Sequence, residues 1–199
     1  MSLLFEALKV EDGRISNIDF HNLRFNKARL EYLGLKNELD LLDIIEIPED
    51  VQEGLFKCRV VYNTEIKKIE FIPYEFREVM SLKLVEKDDA DYTYKYADRS
   101  WISEIFKKKG ECDDVLIVKD GYITDTSSAN IVFSDGDDWY TPDTFLMNGT
   151  QRQLLISKGL ISECPITDRD IHDFKIARML NAFLNLEIGN DISTGDINW

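Results

Sequence analysis

The stretch DVLIVKDGYITDTSSANIVFSDGDDWYTP, residues 114 to 142, most constrains what this chain can fold into. Its apolar runs are too short for helices, and Asp-Gly pairs at Asp120 and Asp135 punctuate them. Such pairs accept the positive backbone φ of tight hairpin turns, so the stretch reads as successive strands. GTQRQLLISKG then opens a helix, and DRDIHDFKIARMLNAFLNLEI reads as a helix running into a last strand.

The first half mixes the two element types. LLFEALKV followed by EDGR reads as a strand entering a turn, and ISNIDFHNLRFNKARLEYLGL as a helix closing near Gly34 with Asn17 or Asp19 as its cap. Phe20, Leu23, Leu30 and Leu33 lie at helical spacing and form its expected apolar stripe, with Phe25 and Tyr32 off it. LFKCRVVY and KKIEFIPY read as a strand pair, and VMSLKLVE as a further strand. DRSWISEIFKKKG has Trp101, Ile102, Ile105 and Phe106 at helical spacing. This is an α+β chain, with a change of unit expected between residues 75 and 90.

Composition narrows the functions. A formal charge of -14 over 199 residues argues against nucleic acid or an anionic membrane as partner and favours a small molecule. No apolar run reaches the ~18 residues of a membrane span, and MSLLFEALKVEDGR lacks the marks of a signal peptide, so a cytoplasmic location is expected. Cys58, Cys112 and Cys164 have neither metal-type nor redox-type spacing and are expected to pack in a reducing compartment. With His21 and His172 as its two histidines, the chain cannot build a three-histidine metal site.

Four fragments carry candidate chemistry: HNLR, with His21 and Arg24; YKYADR, with Lys95 between two tyrosines; DGYITDTSSANIVF, with Asp125 five residues before Asn130; and FLMNGTQR, a glycine turn at a helix start. A lysine at a strand end can be desolvated and become a nucleophilic amine, although most lysines are surface solubilisers. Arg24 alone reads as a surface helix arginine and the glycine turn as a plain cap. Arg59, on the otherwise apolar CRVVY, is either paired structurally or aimed at a substrate carboxylate. Tyr94 and Tyr96 alternate with Lys95 and are expected to pack on the other face.

In this order the fragments resemble the class IV aminotransferase family, the fold-type IV pyridoxal-phosphate enzymes, which include D-amino-acid and branched-chain aminotransferases and 4-amino-4-deoxychorismate lyase. The resemblance runs from about Phe5 to about Ile192 and is most specific over residues 113 to 152. It implies a two-domain fold like that of D-amino-acid aminotransferase, shortened at the N-terminus, with an N-terminal domain over 1–80, a C-terminal domain over 81–199, a cofactor cleft between them and a homodimer.

It implies further that pyridoxal 5'-phosphate is held by Arg24 and the backbone N–H groups of Thr150 and Gln151 at its phosphate, and by Asp125 at its ring nitrogen. Ser127, Ser128 and Asn130 would line the cofactor loop, Lys95 would be the catalytic amine, and Arg59 and Arg99 would meet an amino substrate. The implied reaction is elimination of pyruvate from 4-amino-4-deoxychorismate to give 4-aminobenzoate for folate synthesis. An amino-acid aminotransferase or a shortened paralogue without turnover are the alternatives.

The chain departs from the family pattern at four places. Asp98 stands where many members have asparagine, Asp125 where glutamate is usual, and Asn185, Leu186 and Glu187 where many offer hydroxyls to the phosphate. LLFEALKV also lies almost at the start, ahead of which longer relatives carry extra strands.

Overall fold

The computed structural model describes residues 2–199. Their contacts form two units, one reaching Phe76 and including Tyr94–Asp98, the other made of Arg77–Thr93 and Arg99–Trp199.

The first unit contains β1 (Leu4–Glu11), β2 (Arg14–Ile15), α1 (Ile18–Glu31), α2 (Leu41–Ile44), β3 (Leu55–Tyr62) and β4 (Ile66–Pro73). Its antiparallel sheet has the order β2-β1-β3-β4. Asp12 and Gly13 both take positive φ, 47° and 71°, and turn β1 tightly into β2. Leu4, Leu8 and Val10 on β1 and Cys58, Val60 and Tyr62 on β3 share one face and pack under α1 with Phe25 and Ala28. Phe25 meets Tyr62 edge-on at 4.6 Å between ring centroids.

α1 does not bury the stripe read from its sequence. Leu23 and Leu30 are 62% and 54% exposed, whereas His21, Phe25, Ala28 and Arg29 are buried. The inward face is chosen by polar partners as well as apolar ones. His21 meets a buried carboxylate, and Arg29 Nη2 donates to the backbone and side-chain oxygens of Asn37 at 3.1 and 3.2 Å. Asn17 holds the cap position with φ 55° but makes no side-chain cap hydrogen bond.

The second unit contains β5 (Leu82–Glu86), α3 (Ser100–Phe106), β6 (Asp114–Lys119), β7 (Tyr122–Thr126), β8 (Asn130–Ser134), β9 (Trp139–Pro142), α4 (Thr150–Ser157), β10 (Ser162–Cys164), β11 (Ile176–Leu180), β12 (Ile192–Ser193) and β13 (Ile197–Asn198). β5 and β6 are parallel, β6 to β9 run antiparallel in succession, and β10 lies parallel to β9. Asp120 and Gly121, with φ 51° and 81°, make the expected hairpin turn between β6 and β7. Leu84, Leu116, Val118, Ile123, Ile131 and Phe133 fill the core.

The helix expected after DRDIHDF is replaced by a single 3-10 turn, Asp170–Asp173, and then β11. β11 pairs antiparallel with β8, setting Ala177 beside Phe133 and Met179 beside Ile131. Ala, Arg, Met and Leu are strong helix formers, but a two-residue alternation buries Ala177 and Met179 in the sheet core, and packing overrides propensity.

Candidate functional site

In the first unit the site grows from β1. Its alternation sends Leu4, Glu6, Leu8 and Val10 toward α1, so an acid occupies an apolar row and is fully buried. One turn apart on α1, His21 and Arg24 both reach it. Arg24 Nε donates to Glu6 Oε1 at 2.9 Å, Arg24 Nη2 to Oε2 at 2.6 Å, and His21 Nδ1 lies 2.7 Å from Oε2. Burial alone would raise the Glu6 carboxyl, but the Arg24 charge and the hydrogen bonds from both partners overturn that and hold it at about 2. His21 is lowered as well: burial, with the Arg24 and Lys95 charges, holds its pKa below that of a free histidine against the pull of Glu6.

Lys95 belongs to this unit. Phe5 N–H donates to Lys95 O at 2.9 Å and Ala97 N–H to Leu3 O at 2.8 Å, so the segment pairs with the start of β1, Leu4 opposite Tyr96. Pleating puts Tyr96 on the core face, where Tyr94 and Tyr96 stack around Tyr32 at 5.1 and 5.7 Å, and puts Lys95 on the face of Phe5. Lys95 Nζ stands 4.9 Å from the Phe5 ring centroid, and the Arg59 guanidinium is also 4.9 Å from it. The fold thus gathers Arg24, Lys95 and Arg59 around consecutive residues of β1. Arg59 also pairs with Glu70 on β4 at 3.2 Å, and Lys68 holds the other oxygen of Glu70 at 2.6 Å.

In the second unit Asp125 and Asn130 face each other as the β7–β8 pair and are 6% and 5% exposed. Asn130 Nδ2 donates to Asp125 Oδ1 at 2.7 Å and to Met147 O at 2.8 Å. Asp125 Oδ2 accepts from the N–H groups of Leu146 and Met147 at 3.2 and 3.0 Å. The loop they hold ends at Gly149, which caps α4 without any side-chain hydrogen bond. Thr150 is buried and Gln151 half-buried at the first turn. Ser128 is exposed in a turn closed by Thr126, whose hydroxyl accepts from Ala129 N–H at 3.1 Å. Arg99, at the start of α3, donates to Ser127 O at 2.5 Å.

Burial pushes the Asp125 carboxyl up to about 6, against the hydrogen bonds from Asn130, Met147 and Leu146 and the charge of Arg152. An acid raised from its unfolded value of 3.8 keeps its full contribution to stability below that pH and loses it as pH rises through about 6. Across that span the loss is about 3 kcal/mol. In urea unfolding, wild type should lose that much more stability than Asp125→Asn between pH 4 and pH 7; parallel profiles would contradict the burial account.

The sequence reading missed Glu6 and Arg152. The signal for Glu6 is an acid at an inward position of an alternating strand. Arg152 is 1% exposed, stacks 4.3 Å above Phe145 and donates to Pro142 O at 3.0 Å, Asn148 Oδ1 at 3.1 Å and Glu163 Oε1 at 2.5 Å. Asn185, at the third departure, spends its side-chain oxygen on the N–H groups of Glu187 and Ile188, both at 2.7 Å. Among the described residues no cluster of His, Cys, Asp or Glu could hold a metal ion, and no helix is long and apolar enough to cross a membrane.

The pattern of the amino-transferase class IV family matches residues 3–186. An uncharacterized protein of Haemophilus influenzae is 38% identical over 185 residues, 92% of this chain and 98% of its own. A crystal structure from Haemophilus somnus, described as a candidate 4-amino-4-deoxychorismate lyase, is 33% identical with a TM-score of 0.87, covering 94% of this chain and 98% of that one. A Mycobacterium tuberculosis structure, described as a hypothetical aminotransferase in PLP-bound form, has a TM-score of 0.75 at 18% identity, covering 98% of this chain and 81% of that one, a likeness of fold.

Proposed function

The chain belongs to the amino-transferase class IV family, and from that premise we propose that it is a pyridoxal-phosphate-dependent lyase that converts 4-amino-4-deoxychorismate to 4-aminobenzoate and pyruvate. The observation that carries the lyase reading is the likeness to the Haemophilus somnus protein, which extends over nearly the whole of both chains.

The donor set fits the cofactor. Arg24 offers a guanidinium to a phosphate, in the orientation set by its fork on Glu6. Thr150 and Gln151 offer backbone N–H groups at the start of α4. The buried Asp125 carboxyl is the partner for a ring nitrogen, and at pH 7 it is mostly ionised. When bound, pyridoxal phosphate supplies an electron-poor ring that accepts the electron pair left on the carbon bearing the substrate amine.

Lys95 would hold the cofactor through its amine and, when that amine is free, would remove the proton from the carbon bearing the substrate amine. The bond from the substrate ring to the enolpyruvyl oxygen then breaks, the substrate ring becomes aromatic, and the departing enolpyruvate takes up at its methylene carbon the proton that Lys95 removed, giving pyruvate. Arg59 and Arg99 are the cations offered to the substrate carboxylates, Arg59 already sharing Glu70 with Lys68.

The test is to incubate the protein and cofactor with 4-amino-4-deoxychorismate and follow pyruvate and 4-aminobenzoate. Equal amounts of both, formed without a 2-oxo acid, are expected. Turnover that requires a 2-oxo acid would make the protein an aminotransferase, and absence of both activities would leave a binding protein.

A further inference from the structure

From the hydrogen bonds of the second unit we infer that Asn130 is a positioning residue that locks the Asp125 acid and the Gly149–Thr150 turn into one rigid piece. The inference rests on the proposed cofactor reading and assigns this chain's Asn130 a role that touches no ligand.

One side-chain amide touches the acid, the loop and the turn. Asn130 Nδ2 bridges Asp125 Oδ1 and Met147 O at 2.7 and 2.8 Å, and Asp125 Oδ2 closes the ring through the N–H groups of Leu146 and Met147. Asn130 Oδ1 packs on the backbone of Gly149, where a Cβ would overlap it. Gly149 has φ -64° and ψ 145°, an extended conformation open to any residue, so glycine is required there for space and not for backbone freedom. A methyl at 149 would have to expel a 5% exposed amide that is held at both of its hydrogens. Releasing that amide frees Asp125 and Met147 together.

From the other side, Arg152 clamps the same loop through Asn148, Pro142 and the Phe145 ring. The loop's place therefore depends on buried side chains from β8 and α4, and Asn130 is the one that also reaches the acid. Buried polar groups held this way give geometry that loops rarely reach unaided.

Two variants strike the contact from opposite sides, Gly149→Ala by crowding and Asn130→Leu by removing the amide at nearly the same size and with no added charge. Dissociation constants are measured for pyridoxal phosphate and for pyridoxal, which lacks the phosphate, by absorbance titration, with amide hydrogen exchange followed at Leu146 and Met147. In both variants, pyridoxal phosphate affinity should fall by at least about tenfold, the scale of one lost hydrogen bond to a charged group, and pyridoxal, which meets Asp125 but has no phosphate for the Gly149–Thr150 turn, should lose less. Exchange at the two amides should rise.

Equal losses for the two ligands, or unchanged affinity and exchange in both variants, would overturn the inference while leaving the cofactor reading in place. A wild-type protein that binds neither ligand would overturn both. If Gly149→Ala does not fold, Asn130→Leu decides the matter on the same readouts.

Discussion

If the proposed reaction holds, Lys95→Ala should lower pyruvate release from 4-amino-4-deoxychorismate by at least about 10³-fold, or ~4 kcal/mol of transition-state stabilisation, because in that reaction it removes both the amine that would bond the cofactor and the base that would move the proton. The fold should survive. This segment is tied to β1 by backbone groups, the Lys95 carbonyl accepting from Phe5 N–H and the Ala97 N–H donating to Leu3, and alanine keeps both. The half-buried side chain stands over the Phe5 ring, a contact worth about 1 kcal/mol. Lys95→Arg separates charge from amine: it keeps a cation over Phe5 and should be as inactive as alanine, since a guanidinium is neither nucleophile nor base at neutral pH. Arginine at 95 with more than a tenth of wild-type turnover would show that the lysine acts as a charge alone.

Glu6→Gln should have the largest effect on stability. The carboxylate is fully buried and holds Arg24 by two hydrogen bonds and His21 by a third. Glutamine keeps the shape but turns an amide toward donors, so one of them is left facing N–H, and the Arg24 charge loses its counter-ion. Breaking a buried ion pair from one side costs about 3–5 kcal/mol.

The pH dependence gives an independent check. The folded carboxyl sits at about 2, below its ordinary value of 4.5, so its stabilisation is fully present above pH 4.5 and is lost as pH falls toward 2. His21 works in the same direction. Its folded pKa is lowered from 6.5, so the unfolded chain takes up the proton first and acid favours unfolding. In urea unfolding the gap between wild type and Glu6→Gln should be wide at pH 7 and should close by about 3 kcal/mol by pH 2. A gap that does not change with pH would mean that Glu6 is not held as a carboxylate by Arg24.

These residues also show where reading from sequence succeeds. The hairpin of β6 and β7 was legible because Asp120 and Gly121 carry their turn geometry in their own chemistry, and β1, β3 and β4 because their apolar runs end at turn residues. What could not be read depends on residues far along the chain. The buried face of α1 is set by Glu6 and Asn37, which accept from His21, Arg24 and Arg29, so apolar spacing pointed to Leu23 and Leu30, which are exposed. β11 is a strand because β8 lies beside it, whatever its own residues prefer.

The candidate site divides in the same way. The residue types and their order are visible in HNLR, YKYADR and TDTSSAN, and they carry the resemblance to the family. The contacts that position them were not. Glu6 beneath Arg24 comes from α1 packing over β1, and Phe5 under both Lys95 and Arg59 comes from the pairing of β1 with β3 and with the Lys95 segment much further along the chain. Asn130 against Gly149 comes from a loop closing on a strand pair.

The most direct test of the central claim, that Lys95 is the amine through which this chain uses pyridoxal phosphate, is chemical trapping. The purified protein is incubated with the cofactor, its near-visible spectrum is recorded, the sample is reduced with borohydride, and the modified peptide is mapped. We expect a near-visible band that reduction abolishes and a phosphopyridoxyl group on Lys95 alone. A band-free spectrum with no modified peptide, or a label spread over other lysines with Lys95 intact, would contradict the account.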